Sequence, residues 1–242
     1  MIEAKKVSKV YSPPWWKGGE KVVALKEFDF QAKPFEVTGL VGANGAGKST
    51  LFRLMTGLEG FTQGDILLNG QSIKDKPNMV RGKISLLLEK HSFVHMKGMN
   101  VLIDTGLMMG LCGKQAKQRA DELVVALGME GFINQKAHAY SRGQAGRLAI
   151  ANMSMVETDV VIFDEPTVGL DFDSADIVRR FIRQSAKKGH TVVLSTHILR
   201  DIEMLCDQIV GIKQGKNAPF EEVEQWMKKA KLESVIEEGD TV

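Results

Sequence analysis

The period of the apolar positions changes several times along the chain, and each change marks an element. Residues 2–10 and 22–30 read as strands, the second rich in Val22, Val23, Leu25, Phe28 and Phe30. Between them, residues 12–20 (SPPWWKGGE) read as a loop, because proline and glycine break regular structure. Residues 35–41 form a strand that ends at Gly42, and 48–57 form a helix with Leu51, Leu54 and Met55 on one side. A short strand and an Asn69-Gly70 turn fall within 64–73, and ISLLL at 84–88 is a further strand. From about 90 to 157 the pattern is mainly helical (97–110, 114–127 and 143–154), which predicts a helical lobe. Strand 158–164, helix 173–187, strand 191–195, helix 198–205 and strand 207–213 follow. This alternation, with strands apolar on both faces, predicts an α/β fold around a covered, largely parallel sheet. An amphipathic helix with Phe220, Val223, Trp226 and Met227 spans 219–231, ahead of an acidic tail.

Composition narrows this only a little. The chain has 242 residues, enough for one domain carrying a lobe. Lys and Arg number 32 and Asp and Glu 30, for a formal charge of +2. That balance argues against a dedicated nucleic-acid binder, so no nucleic-acid partner is expected. Cys112 and Cys206 lie far apart without a CxxC pair, which predicts two buried thiols in a reducing compartment, with neither a disulfide nor a zinc site. The N-terminus, MIEAKKVSKVY, has no apolar stretch of signal-peptide length, and the weakly polar run Val101–Cys112 is too short to span a bilayer. A soluble, cytoplasmic chain is expected, held at any membrane by something else.

The strongest local pattern is Gly42-Ala43-Asn44-Gly45-Ala46-Gly47-Lys48-Ser49-Thr50, between a strand and a helix. It matches G-x-x-x-x-G-K-[ST]. Glycines let successive backbone N–H groups point inward at phosphate oxygens, and the helix start adds its positive end. Lys48 brings a charge to the β- and γ-phosphates, and Ser49 offers a hydroxyl to Mg²⁺. These residues imply a nucleoside triphosphate site. The apolar strand Val160–Phe163 then ends in Asp164 and Glu165 at the edge where open α/β sheets bind ligands. Asp164 is a candidate Mg²⁺ ligand, and Glu165 a candidate to align or deprotonate a water. Ser141 and Gln144 have capping-box spacing at the head of helix 143–154, whose exposed N–H groups and hydroxyl suit a phosphate. His197 follows the strand TVVLS and the residue Thr196, at the same sheet edge. His91, His95, His138 and His190 read as surface or lobe residues.

In order and spacing these residues resemble the nucleotide-binding subunit of an ATP-binding-cassette (ABC) transporter, over about residues 2–217. The resemblance implies a P-loop ABC ATPase core with an antiparallel β subdomain and a helical subdomain, occupying 1–242 with the helical part at about 90–157 and a short helix and tail at about 218–242. Gly42–Thr50 resembles the Walker A loop, and Val160–Glu165 resembles Walker B with its catalytic glutamate. His197 resembles the switch histidine, Pro166–Asp171 the segment leading into the D-loop, and Tyr11 the aromatic that stacks on adenine. Ser141, Gly143, Gln144 and Asp171 are thereby implied nucleotide contacts. Glu89 stands where the family carries a glutamine, and is implied in both catalysis and Mg²⁺ binding.

Two departures stand out. Tyr140 and Arg142 replace the first and third residues of Leu-Ser-Gly-Gly-Gln, and Arg142 either adds charge to the site or crowds the nucleotide. Glu89 replaces glutamine, which is similar to ABC-2-type exporters of sodium, antibiotics or peptides. Either Trp15 or Trp16 covers the nucleotide, or both pack on the β subdomain. The resemblance implies an ATPase that pairs head to tail with a second copy or a homologous subunit. It would power a separate transmembrane permease, most readily an exporter, from the cytoplasmic face of the membrane. Phe93, Val94, Met96 and Met99 are either the permease contact or core of the lobe. A soluble cassette ATPase without a permease and a nucleotide-gated module with weak hydrolysis are the alternatives.

Overall fold

The computed structural model describes residues 1–13, 19–74, 76–88 and 95–225. Trp15, Trp16, Glu89, His91, Phe93 and Val94, and the chain from Trp226 onward, lie outside the described residues, so the readings made on them are not addressed by the fold.

Two sheets carry the architecture. The first has the order β2 (Val22–Ala32), β1 (Ile2–Tyr11), β4 (Gln63–Leu68) and β5 (Gln71–Ser72), and is antiparallel throughout. Its β4–β5 turn is Asn69-Gly70, where φ is 50° and 80°. Two successive positive φ values define the tight hairpin turn that Asn-Gly favours. The second sheet has the order β10 (Lys216–Ala218), β9 (Gln208–Lys213), β3 (Val37–Val41), β8 (Thr191–Thr196), β7 (Val160–Asp164) and β6 (Ile84–Leu87). It is parallel from β9 to β6, with β10 as an antiparallel edge.

Burial explains why the central strands are apolar on both faces. Val160 and Ile162 of β7 join the core beneath the antiparallel sheet, together with Leu51, Phe52, Leu54 and Met55 of α1 (Lys48–Met55). Val161 and Phe163 point the other way, into the core shared with α5 (Phe172–Lys187) and the helices α2 (Gly98–Met108), α3 (Gly113–Ala126) and α4 (Arg142–Met153). Each face removes apolar surface from water, and that drives the layering. A further helix, α6 (Leu199–Leu205), follows β8, and residues 220–225 are helical after β10.

The structure departs from the sequence reading in three places. Strand β3 begins at Val37, because Phe35 takes a φ of 66° in the preceding turn and is exposed. The three-residue β10 is too short to carry a periodicity. Cys112 is exposed rather than buried: it is the residue from which α3 starts, where its backbone N–H donates to Gln115 Oε1 at 3.0 Å. Cys206 is partly buried, its thiol pushed up to about 12 by burial, and both cysteines are free. Met99 packs against the lobe core. No described helix is long and apolar enough to cross a membrane.

Candidate nucleotide site

Parallel pairing brings the C-terminal ends of three strands level. Val41 lies opposite Thr196, and Asp164 opposite Ser195. The glycine-rich loop leaves β3 at this edge and curls into α1. It passes very close to its neighbours: a Cβ on Gly42 would lie 2.1 Å from the Ile212 carbonyl oxygen, and Gly47 takes a φ of 114° beside the Ala24 carbonyl. Only glycine meets both demands. The β9–β10 turn braces the loop from behind, with Gly215 N–H donating to Ala46 O at 2.9 Å.

A cleft of about 720 Å³ opens above the loop. Asn44, Gly45, Gly47, Lys48, Ser49 and Thr50 form its floor, and Asp164, Glu165, Val168 and His197 one wall. Val22, Val23 and Ala24 line the rest, and Val22 and Val23 are both exposed.

The polar groups in this cleft are tightly interlinked. Lys48 Nζ donates to Gly42 O at 2.8 Å and Ala43 O at 3.2 Å, and lies 3.4 Å from Glu165 Oε1. Ser49 Oγ donates to Asp164 Oδ2 at 2.8 Å, and Ser195 Oγ to Asp164 Oδ1 at 2.5 Å. Glu165 Oε2 lies 2.7 Å from His197 Nδ1. Lys48 and Asp164 are buried, as is the Glu165 side chain, whereas His197 is 40% exposed. Glu165 takes a φ of 53°, rare for a residue with a Cβ, and its N–H is held by Ser195 O and Ser195 Oγ. Backbone strain of this kind persists only where the surroundings fix it.

Burial works against the charge on Glu165, but the His197 hydrogen bond and the charges of His197 and Lys48 win, and its carboxyl titrates below the usual value of 4.5. The Glu165 hydrogen bond raises His197 above 6.5, against the opposing effect of burial. Linkage fixes the pH dependence. The Glu165 contribution to stability is present above pH 4.5 and lost as pH falls through its lowered value; the His197 contribution is present below pH 6.5 and lost as pH rises through its raised value. Replacing His197 with alanine is therefore expected to destabilise the chain more near pH 6 than near pH 9, as read from denaturant midpoints at both pH values. Equal losses at the two would mean that the pair carries no charge.

Several residues singled out by sequence stand apart from the cleft. Tyr11 does not line it; its hydroxyl donates to Glu59 Oε2 at 2.6 Å and Lys9 lies over its ring. Ser141, Gly143 and Gln144 do not line it either. Ser141 caps α4 in a reciprocal pair with Gln144, at 3.3 and 3.0 Å. Gly143 abuts the start of α5, where a Cβ would come within 2.9 Å of Asp171 Oδ2. Asp171 caps α5 by accepting from Ser174 N–H at 2.8 Å. Arg142 folds onto Gly169 of its own chain: a Cβ there would lie 2.2 Å from the guanidinium. Sequence reasoning missed Ser195, which bridges Asp164 and the Glu165 backbone; a polar residue two places before His197 at a strand end was the available signal.

A glycine cradle, a buried lysine and a carboxylate-ended strand at one sheet edge define a P-loop nucleoside triphosphatase. Comparison with known proteins sharpens the class. A family model described as ABC transporter matches residues 25–168. NatA of Bacillus subtilis, an ABC transporter ATP-binding protein, is 32% identical over 200 residues, 81% of each chain. The linearmycin resistance ATP-binding protein LnrL of Bacillus subtilis is 31% identical, over 89% of this chain and 67% of LnrL. The energy-coupling factor transporter ATP-binding protein EcfA of Methanocaldococcus jannaschii is 35% identical, over 79% and 71%. The dimeric cassette MJ0796 superposes with a TM-score of 0.79 at 25% identity, over 90% of this chain and 97% of that one. The chain belongs to the ABC transporter family, as an ATP-binding subunit that hydrolyses ATP.

Proposed function

We propose that this subunit closes head to tail on a second copy, or on a homologous subunit, and drives a separate membrane permease in export. The observation that carries the catalytic part is the convergence of Lys48, Glu165 and His197 in one cleft, beside the Ser49–Asp164–Ser195 chain.

Lys48 is the phosphate anchor in this reading. An entering triphosphate takes its ammonium over from the Gly42 and Ala43 carbonyls, while the loop N–H groups and the head of α1 receive the remaining oxygens. Glu165, freed from Lys48 and oriented by His197, aligns the attacking water and accepts its proton as the bond to the γ-phosphorus forms and the β–γ bridge breaks. Ser49 and Asp164 offer two hard oxygen donors at one point, and no cluster of three His, Cys, Asp or Glu suited to a metal exists among the described residues. That donor set fits Mg²⁺, which is ordinarily completed by phosphate oxygens. When bound, Mg²⁺ neutralises developing phosphate charge. Glu89 is assigned to the same site by resemblance alone. Tyr11 and the apolar Val22–Val23 pair are assigned to the base, and Ser141, Gly143, Gln144 and Asp171 to the nucleotide of the facing subunit.

Ser141 lies outside the cleft that holds Lys48, which supports a site completed by a second chain. Export is favoured by Glu89 and by the resistance function in the name of LnrL, although EcfA and the methionine import protein MetN 2 of Enterococcus faecalis are as similar. Peripheral attachment at the cytoplasmic membrane face through the permease follows from this reading. The test is purification of the tagged full chain from detergent-solubilised native membranes, with co-purifying proteins identified by mass spectrometry. A stoichiometric multi-span membrane protein is expected. A partner without membrane spans, or none, would favour the soluble cassette. Met96→Asp, placed on the half-buried residue beside the lobe, is expected to weaken that complex by about 1–3 kcal/mol and to leave ATPase activity of the isolated subunit unchanged.

A further inference from the structure

Behind the cleft lies a second set of buried polar groups that neither the ATP contacts nor the core accounts for. Asp201 of α6 is completely buried. Its Oδ1 receives Arg179 Nε of α5 at 2.6 Å, and Arg179 is itself 7% exposed. Its Oδ2 accepts from the Thr167 hydroxyl and, at 3.4 Å, from the Thr196 hydroxyl. Both threonines are buried. Thr196 also accepts from Ile198 N–H at 3.0 Å, so its hydroxyl holds the backbone just after His197. Thr167 follows Glu165 by two residues, within a turn closed by Val168 N–H on Glu165 O and Leu170 N–H on Thr167 O.

Burying a carboxylate and a guanidinium this deeply is costly, and an apolar pair of similar volume would often serve stability as well. What an apolar pair would not do is fix two backbone segments at one carboxylate. The strained φ of Glu165 has to be held from both directions. Ser195 holds the upstream side through the Glu165 N–H, and the downstream side reaches its anchor at Asp201 through Thr167.

We propose that Asp201 is a positioning residue for hydrolysis: its carboxylate ties the segment after Glu165 to the segment carrying His197, and so sets the contact between them. The proposal rests on the assignment of Glu165 and His197 to the attacking water. Asp201 does not line the cleft; it holds Thr167 and Thr196 by hydrogen bonds, and its charge adds a smaller direct effect on His197. Because both segments hang on one carboxylate, releasing either lets the Glu165–His197 pair drift while the phosphate cradle stays intact.

The decisive variants are Thr167→Val, which removes the hydroxyl and keeps the shape, and Thr167→Ser, which keeps the hydroxyl. Asp201→Asn is informative only if it folds, since it leaves Arg179 without its charge partner. Each full-length variant is assayed for ATP turnover at saturating ATP, for affinity toward a fluorescent ATP analogue, and for thermal midpoint. Thr167→Val is expected to lower kcat by about 10-fold or more with affinity within about 2-fold of wild type, and Thr167→Ser to restore kcat. A folded Thr167→Val with wild-type kcat would overturn the proposal. So would a loss of kcat and affinity in proportion, or a Thr167→Ser variant as impaired as Thr167→Val. Glu165→Gln and His197→Ala run alongside. If either keeps full turnover, the underlying assignment fails and this proposal with it; if both lose turnover and Thr167→Val does not, only the role of Asp201 fails.

Discussion

Exchanging Glu165 for glutamine is expected to slow ATP turnover by about 10²-fold or more while ATP still binds. The amide keeps the size of the side chain and can still meet Lys48 and His197, both within 3.4 Å of the carboxylate. It cannot take a proton from water. Loss of general-base assistance alone corresponds to about 3 kcal/mol or more in the barrier. Binding is expected to survive because the proposed phosphate contacts come from the loop N–H groups and Lys48, and the glutamine removes a negative charge from their neighbourhood. Single-turnover hydrolysis and ATP-analogue titration on the same preparations separate the two effects. Unimpaired hydrolysis would move the proton acceptor elsewhere in the cleft, with His197 the nearest candidate.

Lys48→Ala is expected to act on the opposite quantity. The buried ammonium is the cation aimed into the cleft floor, and its loss removes charge-assisted hydrogen bonds to phosphate, each worth about 1.5–3 kcal/mol. Affinity for ATP should fall by about 10–100-fold. A second effect follows from the same deletion. Besides binding, the Lys48 ammonium stabilises the charge that develops on the β- and γ-phosphate oxygens as the bond to the γ-phosphorus forms, so its loss also removes stabilisation of the transition state. Turnover in Lys48→Ala should therefore remain depressed even at ATP concentrations that restore occupancy. Recovery of full turnover at saturating ATP would confine Lys48 to binding.

How much of this was legible in the sequence depended on whether the signal was local. The phosphate loop is contiguous, and every property that matters (positive φ, close approach, a lysine at the helix start) is written within Gly42–Thr50. Asp164 and Glu165 were legible only beside that loop, because an apolar strand ending in two carboxylates is a weak signal taken alone. The strands and helices followed their periodicities, with errors confined to ends such as Phe35 and to the three residues of β10. The illegible parts are pairings between distant segments. Nothing local marks Ser195 as the partner of Asp164, or Asp201 as the meeting point of Thr167, Arg179 and Thr196. The resting place of Arg142 on Gly169 depends on how α4 packs beside the segment after β7, and no spacing rule carries that. Cys112 was misread because cysteine is buried on average, and the average is blind to its place at the exposed start of α3.

The central claim is that ATP held by the Lys48 loop of one chain is closed over by the Ser141-headed helix of another. Light scattering on the Glu165→Gln chain with ATP tests it most directly, compared with Glu165→Gln/Ser141→Arg. Thermal melts accompany both, because losing the Ser141 cap costs about 1 kcal/mol by itself. The account predicts a doubling of mass with ATP for the first protein, and a single-chain mass for the second despite bound ATP. A Glu165→Gln chain that binds ATP and stays single, or a doubled mass that ignores Ser141→Arg, would contradict it.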